Sequence, residues 1–157
     1  MLKGNATKNM FEAYAINTQK FLDSTVKVGI PAGSKESSDK YPEGTPLLVI
    51  AATHEYGSHI RNIPQRSFLR VPMIENKEKI NKMIFSRYKA VGDNILTAEK
   101  GLNQIGSVGV SISKGSFRNN NWATNKPATI KAKKGKDTPL INTGQLRQSI
   151  TYQVEGI

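Results

Sequence analysis

Apolar residues return at intervals of three and four along residues 10–24. Phe11, Tyr14, Ala15, Phe21 and Leu22 alternate there with polar positions, and the spacing predicts an amphipathic helix. The period then changes. Over residues 25–30, Val26, Val28 and Ile30 alternate with Lys27 and Gly29, the two-residue period of a half-buried strand, which Pro31 stops. Residues 32–44 are rich in Ser, Lys and Gly and read as a mobile loop. Thr45 and Pro46 suit the cap and first turn of a second helix, with Leu47, Leu48, Ile50 and Ala51 on its buried side. Gly57 suits a left-handed exit.

Residues 58–70 form a connection holding Pro64, Ile63, Phe68 and Leu69. Pro72, Glu75 and Glu78 favour the start of a further helix, whose apolar stripe is Ile74, Ile80, Met83 and Ile84, running to about Val91. Residues 92–94 mark a break. The segment 96–117 carries two periods at once. Ala98, Leu102, Ile105, Gly109, Ile112 and Ser116 suit a helix with a small-residue face, whereas Val108, Val110 and Ile112 suit a strand. Gly101, Gly106, Gly109 and Gly115 weaken both. The helix is the preferred reading, and its small residues would admit another backbone closely. Residues 118–138 read as a polar loop that orders on assembly, and 139–144 as a turn. Thr143 suits the cap of a short helix over 144–149, and Ile150, Tyr152 and Val154 alternate in a closing strand. The elements add up to one α+β domain over 1–157. Its small, mainly antiparallel sheet pairs strands far apart in sequence and packs against a long helix, with additional short helices and long polar loops.

Composition adds a constraint on partners. Lys and Arg number 23 against 12 Asp and Glu, a formal net charge of +11. Such a charge attracts polyanions or acidic protein surfaces without choosing between them. From Lys114 onward, eight basic residues face only Asp137 and Glu155, so six of the eleven net charges lie in this last third. Lys131, Lys133, Lys134 and Lys136 concentrate them, with Trp122 nearby in sequence, and are candidates for non-specific polyanion contact. With no cysteine, disulfides and thiolate metal sites are excluded. Residues 1–7 lack the apolar run of a secretory signal, and no apolar stretch approaches the roughly 20 residues of a membrane span. A soluble protein made in the cytoplasm, without membrane contact, is the expectation.

Catalytic patterns fail on spacing. His54-Glu55 begins a zinc-protease motif, but the next histidine, His59, lies five residues on and beyond Gly57, not four on the same helical face. Gly33-Ser34-Lys35 lacks both the spacing and the following helix of a phosphate loop. No serine sits in a Gly-x-Ser-x-Gly elbow. A non-enzymatic chain without cofactor or metal is expected.

Two segments carry a resemblance. The first is Ile50-Ala51-Ala52-Thr53-His54-Glu55-Tyr56-Gly57 followed by Ile63-Pro64-Gln65-Arg66-Ser67-Phe68-Leu69-Arg70. The second is Pro139-Leu140-Ile141-Asn142-Thr143-Gly144-Gln145-Leu146-Arg147-Gln148-Ser149-Ile150. In order and rough spacing this set resembles the head–tail connector and tail-completion proteins of tailed phages, including the virion-morphogenesis group. Ser67 stands where that family usually has proline, and Tyr56 where phenylalanine is commoner. The resemblance implies a small sheet packed with a long helix, and a structural subunit of the virion's head–tail interface. Such subunits assemble with copies of themselves into a ring between the portal or adaptor and the tail tube or tail terminator, and DNA passes through. It marks Glu55, Tyr56, Gly57, Pro64, Arg66, Phe68, Arg70, Thr143, Gly144 and Leu146 as architectural. In physical terms Gly57 permits a sharp exit, Pro64 stiffens the connection and Phe68 anchors it. Arg66 and Arg70 are expected to reach carboxylates or neighbouring subunits, with Glu55 the expected ion-pair partner of one of them. The rival readings are a basic nucleic-acid-binding protein acting outside the virion, and a metal-dependent hydrolase built on His54 and Glu55.

Overall fold

The computed structural model describes residues 2–31, 44–118, 122–141 and 143–157. The loop read at 32–44 therefore lies, except for Gly44, outside the described residues. In chain order the elements are α1 (Leu2–Asp23), β1 (Thr25–Gly29), α2 (Leu47–Tyr56), α3 (Arg70–Glu75), α4 (Lys77–Gly92), α5 (Ala98–Ser116), α6 (Pro127–Ala132), α7 (Gln145–Gln148) and β2 (Thr151–Glu155). The architecture is α+β, as the hydrophobic periods predict.

The sheet joins the two ends of the chain. β1 and β2 pair antiparallel, with Thr25 opposite Glu155 and Gly29 opposite Thr151. Their inward residues, Val26, Val28, Tyr152 and Val154, turn towards α5. This long helix is the shared wall of two cores. Phe21, Val91, Ala98 and Leu102 form one, around the start of α5. Leu47, Ala51, Phe68, Phe117, Leu146 and Ile150 form the other, around its end. Thr97 caps α5 by accepting from the Lys100 amide at 3.3 Å. Asn17 of α1 reaches the same turn, accepting from the Ala98 amide at 2.8 Å and donating to the Leu96 carbonyl at 3.1 Å.

Small residues on α5 decide how close the sheet comes. Gly101, Gly106, Gly109 and Ser113 are all buried. A Cβ on Gly106 would lie 2.3 Å from the Tyr152 ring, and one on Gly109 would lie 2.8 Å from a Val28 methyl. Two of the glycines that weaken the helix reading, Gly106 and Gly109, are thus the contact surface for β2 and β1, while Gly101 admits Phe21 of α1. Their loss of helix propensity, about 1 kcal/mol each, is offset by the packing they admit.

Several expectations need correction. α1 begins earlier than the apolar pattern indicates, and of its predicted stripe only Phe21 is buried; Phe11 is 69% exposed and Leu22 57%. Residues 8–16 of α1 are all exposed. Thr45 does not cap α2: Pro46 is the N-cap residue, and no side chain bonds there. The helix expected after Pro72 is two, broken at Asn76, and Ile74 on its stripe is 61% exposed. Ile112 and Ser116 are only half-buried, because the face of α5 turned inward runs through Gly106, Gly109 and Ser113. Within 118–138, read as a polar loop, residues 127–132 form α6, and Trp122 packs edge-on against Phe117 at 5.7 Å.

The glycine face yields a prediction of opposite signs. Gly106→Ala overpacks the sheet contact and lowers stability by about 1–2 kcal/mol net of the propensity gain. Gly115→Ala meets nothing within 4 Å, and raises stability by up to about 1 kcal/mol. Urea unfolding of the two variants beside the parent checks both.

Candidate functional site

The residues singled out by motif converge around the end of α2. Leu47, Ala51 and Glu55 are its buried positions, four apart, so the helix carries the Glu55 carboxyl on its last turn to the edge of the core that holds Leu47, Ala51 and Phe68. Gly57 follows at φ 76°. A Cβ there would sit 3.0 Å from the Gln65 nitrogen and 3.1 Å from the Ile63 carbonyl oxygen. Both the backbone angle and the close approach of the returning chain require glycine. Its ψ of 177° is extended, so the exit is not the left-handed helical conformation expected. Ser58 and Ile63 then exchange a pair of 2.9 Å backbone bonds, and the Arg66 amide donates to the His54 carbonyl at 2.8 Å. Gln65 Nε2 donates to the Glu55 carbonyl at 3.1 Å. The chain doubles back beneath the end of the helix.

This return delivers a set of donors to one carboxylate. Glu55 accepts from Ser67 Oγ at 2.5 Å and from the backbone amides of Phe68 at 3.0 Å, Leu69 at 3.0 Å and Arg70 at 2.9 Å. Ser67 Oγ in turn accepts from the Val71 amide at 3.0 Å. Leu69, the N-cap residue of α3, makes no capping bond of its own. Glu55 and Ser67 together therefore satisfy amides that the start of a helix leaves without partners. Where the resembling family has proline, Ser67 supplies both a donor and an acceptor.

The expected ion pair of Glu55 with one of Arg66 and Arg70 is absent. The Glu55 oxygens are filled by amides and a hydroxyl, and Arg66 points elsewhere. Its Nε and Nη2 donate to the Ala123 carbonyl at 3.2 and 2.9 Å, and Nη2 also to the Thr124 carbonyl at 3.0 Å. At 6% exposure it is a buried clamp on the segment after α5, not a contact for a neighbour. Arg70 is exposed and reaches Glu55 through its backbone, not its guanidinium. Phe68 anchors as expected: it is 3% exposed and lies 5.4 Å from Phe117. Its carbonyl accepts from Ser113 Oγ at 2.8 Å and Ser116 Oγ at 3.2 Å.

The second motif segment meets the same core. Leu146 and Ile150 are each 1% exposed and share the cluster with Leu47 and Phe68. Gly144 adopts φ 82° just before α7, and Thr143 Oγ1 accepts from the Gln145 amide at 3.3 Å. Pro64 and Tyr56 lie outside the core, Tyr56 at 70% exposure. Lys131, Lys134 and Lys136 are exposed, whereas Lys133 is half-buried and donates to the Thr138 carbonyl.

Sequence reasoning missed Asn17, Ser113, Ser116 and Asn125. Each is a polar side chain whose partner lies dozens of residues away or is absent, so no local spacing announces it. His54 was weighed as a metal ligand. Among the described residues no three His, Asp or Glu side chains gather to hold a metal ion. His54 Nδ1 is buried with no hydrogen-bond partner. Burial, then the positive charges of Arg66 and Lys133, lower its pKa from 6.5 to about 4. No helix among the described residues is long and apolar enough to cross a membrane. No family model, no curated protein and no solved structure matches the chain.

Two predictions follow from these contacts. Glu55→Gln replaces an all-acceptor carboxylate with a group that turns an NH2 towards amide donors, and lowers stability by about 2–4 kcal/mol in denaturant titration. The His54 shift has a defined sign. The folded state holds its proton less tightly than the unfolded state, so the stabilisation is complete above pH 6.5. It is lost as pH falls through about 4. Full titration removes at most about 3 kcal/mol. In His54→Gln the slope of stability against pH is correspondingly flatter between those values.

Proposed function

We propose that the chain is a structural subunit of the tailed-phage head–tail junction, a neck or tail-completion protein. It assembles into a ring that joins the portal-bearing head to the tail and lets DNA pass. The observation that carries this reading is the meeting of the two motif segments in one core. Phe68 and Leu47 from the first pack with Leu146 and Ile150 from the second, across a long stretch of chain. Motif residues that share one packed unit support the resemblance as a whole better than two unconnected matches would.

The surface fits association. Met10 is 70% exposed, Phe11 69% and Ile16 59%, all within the exposed stretch of α1 over residues 8–16. Ile60, at 100%, and Tyr56 add apolar surface at the doubled-back connection. Exposed apolar patches of this kind are usually covered by a partner. In a ring, the same patch of each copy meets a complementary patch of the next, and closure limits the copy number. The portal or adaptor would lie on one side and the tail tube or terminator on the other.

A second reading is favoured by charge. Among the described residues a single ion pair occurs, Lys27 with Glu155 at 2.7 Å. Most of the basic residues therefore remain available, Lys131, Lys134 and Lys136 among the exposed ones. A nucleic-acid-binding protein acting outside the virion would use them.

Mass spectrometry of purified virions and of tailless heads distinguishes the two. The ring reading expects the chain in complete particles and a closed oligomer of the isolated protein by native mass spectrometry. Met10→Ser with Phe11→Ser should abolish the oligomer while leaving the unfolding midpoint nearly unchanged, since both side chains are exposed. Absence from particles, together with a monomer whose DNA affinity falls steeply with salt, would establish the second reading instead.

A further inference from the structure

A recess of about 310 Å³ lies between α2, the doubled-back connection and α6. Besides three threonines, its polar lining is His54, Arg61, Arg66, Asn125 and Lys133. No carboxylate among the described residues lines it. Asn125 is 6% exposed, and its Nδ2 is buried with no acceptor among the described residues. His54 Nδ1, at the same recess, is likewise buried without a partner. Arg66 is held in place by its bonds to Ala123 and Thr124, which use Nε and Nη2 and leave Nη1 without an acceptor among the described residues.

We propose that this recess binds a compact oxyanion of the phosphate class, with Asn125 Nδ2, Arg66 Nη1, Lys133 and Arg61 as its donors. The unmet amide is a donor, and a buried donor without a partner is unfavourable until something accepts from it. A water molecule would satisfy Asn125 but would leave the charges of Arg61, Arg66 and Lys133 uncompensated. Asp137 supplies one opposing charge, and its Oδ1 already accepts from the Asn125 backbone amide at 3.1 Å. A metal cation is disfavoured by the same charges. The positive field is also felt by His54, whose proton Arg66 and Lys133 help to expel after burial has done most of the work. Neutral imidazole can still donate from Nδ1 to the bound anion. Arg66 is positioned beforehand, so binding does not have to order a long side chain. The donors lie in a recess and not on a flat face, which suits inorganic phosphate or a terminal monoester better than a phosphodiester flanked by sugars.

Calorimetric titration of the intact protein with sodium phosphate, at constant ionic strength set with chloride, tests the proposal. One saturable site per chain is expected, with a submillimolar dissociation constant. Lys133→Gln and Arg61→Gln should each weaken it at least tenfold, in variants whose unfolding midpoint in chloride matches the parent. Lys131→Gln and Lys134→Gln, outside the recess, should leave it within twofold. A short DNA duplex should not displace the phosphate. Absence of saturable binding would overturn the assignment. Equal losses in the Lys131 and Lys134 variants, or displacement by the duplex, would also overturn it and assign the affinity to the general basic surface.

Discussion

The Glu55 carboxylate sits in the interior with four hydrogen bonds and, among the described residues, no ion pair. A buried charge is normally prohibitive unless its lone pairs are filled. Here three backbone amides and the Ser67 hydroxyl fill them. These charge-assisted bonds are stronger than neutral ones and take the place of an ion pair. They also act on conformation. The amides belong to consecutive residues, so accepting from all three fixes the path of the chain as it enters α3. That path turns Phe68 into the core and aims its carbonyl at Ser113 and Ser116 of α5. One side chain thereby joins α2, α3 and α5.

α5 carries the constraint to the rest of the molecule. Its end receives Phe68, and Phe117 follows it into the same core. Its start receives Phe21 and Val91, with Asn17 bonded across the turn before it. Between these, Gly106 and Gly109 admit Tyr152 and Val28 at distances no side chain would allow. Among the described residues the sheet has two strands, and such a pair is marginally stable at best alone in water. Its stability depends on contact with this helix, so the small-residue face and the pairing of distant strands are one device.

The hydrophobic periods made the backbone elements legible. The change from a period of four to a period of two around Thr25 gave β1, and the alternation through Val154 gave β2. Gly57 was legible because few residues serve a sharp chain reversal. Two kinds of feature were not. The exposure of Phe11 and Leu22 depends on which part and which side of α1 the other elements cover, which the periodicity of α1 alone cannot express. Proximity in sequence suggests that Glu55 pairs with Arg66 or Arg70, and it pairs with neither side chain. Backbone carbonyls and amides, which no sequence displays, take the Arg66 and Glu55 side chains instead. The unmet amide of Asn125 was invisible for the same reason.

Amide hydrogen exchange of the native protein tests the central role of Glu55 most directly. The amides of Phe68, Leu69 and Arg70 lie at a helix start and, without Glu55, would have no acceptor. With it, they should exchange as slowly as amides in the middle of α5, through global unfolding only. Rapid exchange at these three positions, with α5 still protected, would contradict the account.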